Sequence, residues 1–175
     1  MKKFFILICT GILACSLLTG CGQTSGKGQS SPFDGKDLTD VVLDIYDKAA
    51  DFELGLMDPV LVETDMIPYY IGAEDTTGIK EVAASEPLMN VVPYSLCLIR
   101  LEDGADVEAI RKNIFEQANA SKWICVSADK VTVNNAGNVI LLLMASSENT
   151  DKVYKAFEQL AGDAIGEPLV RNGVE

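Results

Sequence analysis

Lys130-Val131-Thr132-Val133-Asn134-Asn135-Ala136-Gly137-Asn138-Val139-Ile140-Leu141-Leu142-Leu143-Met144-Ala145 is the stretch whose reading decides the fold. Lys130 to Val133 has strand character. Asn134 to Asn138 is dense in residues that tolerate left-handed backbone, so it reads as a hairpin loop. Val139 to Ala145 returns as an unbroken apolar run, which a strand shows when it is buried. An antiparallel hairpin therefore lies at the centre of the expectation.

Outward to the C-terminal side, Ser146 or Ser147 caps a helix over about 148–162, with Val153, Ala156, Phe157 and Leu160 on its inner face. Gly162 is its stop. Residues 167–175 read as a tail.

Outward to the N-terminal side, Lys122-Trp123-Ile124-Cys125-Val126 is a candidate extra strand. A helix is predicted over about 105–119, with Val107, Ile110, Ile114, Phe115 and Ala118 on one face. Asp106 and Glu108 sit at its positive end. Val91 to Leu101 is too continuously apolar for a half-solvated strand, so it belongs at the sheet centre or under cover on both faces. Pro93 must lie near its start. Ile79 to Ser85 is a further strand, broken by Glu86-Pro87. Residues 54–77, punctuated by Pro59, Pro68 and Gly72, read as a loop packed over the core edge. Within them Met66 to Gly72 offers an aromatic patch, with an exposed recognition surface as the alternative. Leu38, Val41, Val42, Ile45, Ala49 and Phe52 fall at helical spacing, giving a helix over about 38–53 with Asp37 as N-cap.

The element order is α-β-β-α-β-β-α. It predicts an α+β fold, a two-layer sandwich with a mainly antiparallel sheet of about four strands, in one domain over 37–166.

The first 21 residues carry an address. Lys2 and Lys3 precede an apolar run from Phe4 to Leu18, too short for a spanning helix and followed at once by polar sequence. Leu18-Thr19-Gly20-Cys21 resembles the lipobox of bacterial lipoproteins. That resemblance implies a signal peptide over 1–20, cleavage between Gly20 and Cys21, and lipidation of Cys21. Cys9 and Cys15 are filler of the apolar run. Residues 21–36 then form a lipidated Cys and a flexible tether rich in Gly, Ser and Gln. The implied site is the outer face of the cytoplasmic membrane.

Composition narrows the chemistry. Among 175 residues, 14 Lys and Arg stand against 26 Asp and Glu, a net charge of −12, with no His. Without His there is no Ser-His-Asp or Cys-His set and no His-ligated metal. The acidic balance argues against nucleic acid as a partner. Removing residues 1–20 takes away Lys2 and Lys3, so the charge of the remainder is −14. An anionic bilayer repels such a domain, and acyl chains must hold it there.

Cys97 and Cys125 are the two thiols of the exported part. They are either a disulfide, which export permits, or two buried free thiols. Asp37, Asp40, Asp44, Asp47 and Asp51 make an acidic stripe, read chiefly as a solvated helix face, with a weak cation site as the alternative. Trp123, the single Trp, plugs the core or sheet edge, or else is a binding platform. No phosphate-loop, dinucleotide, zinc or nucleophile-elbow motif occurs, and nothing calls for a cofactor.

Ser85-Glu86-Pro87-Leu88-Met89, Pro93 to Arg100, Lys122 to Val126 and Gly137 to Ile140 together resemble a family of small Firmicute lipoproteins built on a domain of unknown function. The resemblance covers about residues 37–162. It implies an exported lipoprotein and brings no catalytic residue. The expected function is a non-enzymatic binding or interaction module in the cell envelope, its partner an envelope protein or small ligand. Tyr69, Tyr70 and Tyr94 are the candidate contacts. The alternatives are a carboxylate-based envelope hydrolase and a structural or assembly subunit.

Overall fold

A computed structural model describes residues 31–52, 54, 58–89 and 91–173. The readings placed on residues 1–30, including the signal peptide, Gly20, Cys21 and most of the tether, lie outside the described residues.

The two most apolar runs form the centre of the sheet. Strand β3 (Ser95–Leu101) pairs antiparallel with β5 (Val139–Ala145), Leu96 opposite Leu143 and Leu98 opposite Leu141. Every residue of β5 is buried. Alternation sends Leu96, Leu98, Leu141, Leu143 and Ala145 to one face, under helices α1 (Leu38–Lys48) and α4 (Ser147–Ala161). It sends Cys97, Ile99, Ile140, Leu142 and Met144 to the other, under α2 (Ile67–Ile71) and α3 (Val107–Gln117). Each such Leu or Ile taken from water contributes about 1.5–3 kcal/mol.

This corrects the two-layer expectation: helices cover both faces. The physical reason lies in the central runs themselves, because a strand apolar at every position needs cover on each side. The mixed helix-and-sheet class and the antiparallel pairing stand as expected.

The sheet has six strands rather than four. Its order is β1-β2-β3-β5-β4-β6, where β1 is Val60–Leu61, β2 Ile79–Ser85, β4 Lys130–Ala136 and β6 Leu169–Asn172. All neighbours run antiparallel. Both added strands are edges. Two-residue β1 is too short to show a period. In β6 half-buried and exposed residues alternate without an apolar run. The segment read as a tail is thus part of the sheet: Val131 stands opposite Arg171, whose guanidinium donates to the carbonyls of Phe115 at 3.3 Å and Ala118 at 2.5 Å. Lys122 to Val126, read as a candidate strand, is a connecting segment instead.

The packed body also starts earlier than Asp37. Phe33 is 2% exposed and lies 5.8 Å from the Phe157 ring. Arg100 donates to the carbonyls of Phe33 and Lys36 at 3.0 and 2.8 Å, so residues 33–36 are stitched to β3 rather than forming part of a tether.

Local chemistry sets the boundaries. The β4–β5 hairpin turns on Gly137-Asn138 alone, Ala136 pairing with Val139; Gly137 takes the positive φ (62°) that a type II′ turn needs first. Ser146 caps α4 by accepting from the Asn149 amide, and Asp106 caps α3 by accepting from Ala109 at 3.0 Å. Asp37 occupies the α1 N-cap in extended conformation but makes no side-chain cap bond. Helix α1 ends at Lys48, and Phe52 stacks on Tyr46 at 5.2 Å.

Candidate functional site

Four chain segments meet where β2 ends, β3 begins and β5 ends. Their meeting point is Lys122, brought there by the connection between α3 and β4. Its ammonium donates to the Glu86 carboxylate, and to Ser95 Oγ at 3.2 Å. Ser95 in turn donates to Glu86 Oε1 at 2.6 Å. Three rings surround the same ammonium: Tyr69 at 5.3 Å, Tyr70 at 5.5 Å and Trp123 at 5.6 Å. The Lys122 side chain is only 6% exposed. Desolvation of that kind is affordable because a carboxylate, a hydroxyl and ring faces replace the water shell.

Cys97 completes the interior side of this cluster. Its Sγ lies 3.8 Å from Ser95 Oγ and 3.9 Å from the Tyr70 carbonyl. Burial pushes its thiol up to about 11, against a smaller lowering by Lys122. The Tyr70 phenol is also raised, first by burial and then by the Glu86 charge.

A Ser beside a Lys has the residue types of a nucleophile and base. The geometry gives them another role. Ser95 is wholly buried, its hydroxyl hydrogen goes to Glu86, and the Lys122 ammonium is committed to the same carboxylate. A base needs a free lone pair and a nucleophile needs access. Neither is present, and the network acts as a pin for the segments around it.

Those segments carry an apolar surface. Leu88 is 93% exposed, and Met89 and Val91 beside it are exposed too. Ile124, two residues from Lys122, is 61% exposed, and Tyr69 51%. Val60, Leu61 and Met66 are exposed on β1 and the turn before α2; β1 pairs with Ala83 and Ala84, adjoining Glu86. Of the ten large apolar side chains exposed among the described residues, only Leu43 and Val170 lie elsewhere.

Of the expected contacts, the structure brings Tyr69 and Tyr70 together in this site, edge to face at 5.3 Å. It does not bring Tyr94. That ring is wholly buried on the α1 side of the sheet, 5.5 Å from Phe52, and its hydroxyl donates to Tyr46 at 3.0 Å. Tyr94 is a core strut, and the expectation of a contact residue is corrected. Burial raises both the Tyr94 and Tyr46 phenols. Cys97 and Cys125 are free thiols, one buried in β3 and the other exposed at φ 61°, so the candidate disulfide is not formed. Trp123 is buried in the core under α3, with Lys122 over its ring.

Lys122, Glu86 and Ser95 were not foreseen as a unit. The signal available was a lone Lys next to the single Trp, within a stretch free of carboxylates from Asn119 to Ala128.

At the opposite end of the sheet a shallow concavity of about 380 Å³ is lined by Lys36, Lys80, Glu81, Arg100 and Asp103 among others. Arg100 there pairs with Glu81 and with backbone carbonyls. In the acidic stripe Asp44 pairs with Lys36 at 3.0 Å. Among the described residues no group of three or more His, Cys, Asp or Glu is placed to hold a metal ion, and no helix is long and apolar enough to cross a membrane.

Compared with known proteins, the chain matches no family model, no curated protein and no solved structure.

Proposed function

We propose that the protein is an exported lipoprotein, held to the outer face of the cytoplasmic membrane through lipidated Cys21, whose domain is a non-enzymatic interaction module. The likeness to small Firmicute lipoproteins belongs to this reading. The observation that carries the interaction role is the gathering of exposed Leu88, Met89, Val91, Ile124 and Tyr69 around one pinned node. Apolar side chains so concentrated on an acidic surface mark a contact area.

The test is photo-crosslinking in living cells, with a benzophenone amino acid at position 88 or 124 and, as control, at Glu116 on the outer side of α3. Protein adducts at 88 and 124 but not at 116 are expected. Equal yields at all three positions, or none, would sink the interaction role. Palmitate labelling of wild type against Cys21→Ser tests the anchor.

A further inference from the structure

The apolar pole has a shape and a charge that select its occupant. We infer that it docks a partner protein presenting an apolar hollow ringed by Lys or Arg side chains; this rests on the interaction reading above.

Shape comes first. Leu88 and Met89 project from the β2–β3 connection as knobs, and two concavities, lined by Lys36, Asp40, Asp44, Arg100 and Asp103 among others, lie away from them. Knobs fit into a macromolecular surface; a small ligand needs a cavity to bury it.

Charge decides among surfaces. The three segments that build the pole, residues 58–71, 86–94 and 119–128, hold four carboxylates and one basic group. Lys122 is spent on Glu86 inside the node. That leaves Asp58, Glu63 and Asp65, all exposed, their carboxylates without an ion-pair or side-chain hydrogen-bond partner among the described residues. A second copy of the chain would bring the same three carboxylates against them. An anionic bilayer would meet them with like charge. A basic rim around an apolar hollow satisfies both features, with the charges setting register and encounter rate.

The experiment uses the full-length chain in cells, with the crosslinker at position 88. Asp58→Lys, Glu63→Lys and Asp65→Lys are combined in one variant. Asp40→Lys, Glu102→Lys and Asp103→Lys are combined in a second, which changes net charge equally but away from the pole. Both are checked for wild-type accumulation and circular dichroism. The first is expected to lower the adduct yield at least about fivefold and the second to leave it within about twofold. A wild-type adduct that both variants leave unchanged, or lower equally, overturns the basic-rim partner while the interaction role stands. An adduct of twice the chain's mass, or one to lipid only, overturns it in favour of self-association or a bilayer. Absence of any wild-type adduct removes the interaction role itself.

Discussion

The Lys122 ammonium lies 5.3 Å from the centre of the Tyr69 ring, so a buried charge holds a half-exposed aromatic in place. The same charge reaches Glu86 and Ser95. One side chain therefore fixes the geometry of three other segments.

Lys122→Met keeps the stem and deletes the charge. It leaves Glu86 without its counter-ion, which costs about 3–5 kcal/mol when a buried pair loses one member. Adding Glu86→Gln is expected to recover at least about 1 kcal/mol. Urea denaturation of the two variants checks this, and equal stabilities would show that the ion pair carries no coupling.

Tyr94→Phe removes only the hydroxyl bonded to Tyr46, for a loss of about 1 kcal/mol. Tyr94→Ala opens a cavity between α1 and the sheet and costs about 3–5 kcal/mol. Neither change is expected to alter crosslinking at position 88 in protein that remains folded. Thermal unfolding measures the first pair of numbers.

The two thiols differ in reach, Cys97 being buried and Cys125 exposed. Iodoacetamide at pH 8 is expected to label Cys125, with Cys97 reacting only after denaturation, as peptide mapping would show. The folded state keeps the Cys97 thiol protonated up to about pH 11, above its ordinary value of 9.0. Unfolding therefore releases a proton in this window. The stabilisation is complete below pH 9 and is lost as pH climbs toward 11, up to about 3 kcal/mol. Cys97→Ala should flatten the denaturation midpoint over that interval relative to wild type.

Gly72 ends α2 at φ 78°, and a methyl group there would stand 2.6 Å from the Gln117 carbonyl oxygen. Gly72→Ala thus suffers both left-handed strain and a backbone clash, about 3 kcal/mol or more together. Gly104 has φ 81° with open space around it, so Gly104→Ala carries the strain alone, about 1–2 kcal/mol. Chemical denaturation of both variants separates the two contributions.

The strongly patterned elements were legible in the sequence. Ile79–Ser85 forms a strand with the expected bounds, and Ser146 caps the last helix as its hydroxyl and position imply. What escaped reading was held by partners rather than pattern. β6 exists because β4 offers it a ladder, Phe33 is buried because Phe157 waits for it, and β1 is set by Ala83 and Ala84. The site was half visible: Tyr69 and Tyr70 lie in a conspicuous aromatic run. Tyr94 looked similar but faces the other side of the sheet, and no local feature shows that Lys122 will cross to Glu86, 36 residues away.

The pairing at the middle of the sheet also dictates how the chain can assemble. β4 and β5 meet across two residues, whereas Ser95 must find Met144 and Arg100 must find Val139, with all of α3 between. Short loops close early and long ones late, because the entropy of closure has to be met before the contact rewards it. The hairpin on Gly137 is thus the natural nucleus, and zipping β3 onto β5 is the slow step. Changes at Ile99 should retard refolding, while changes in β6 should chiefly hasten unfolding.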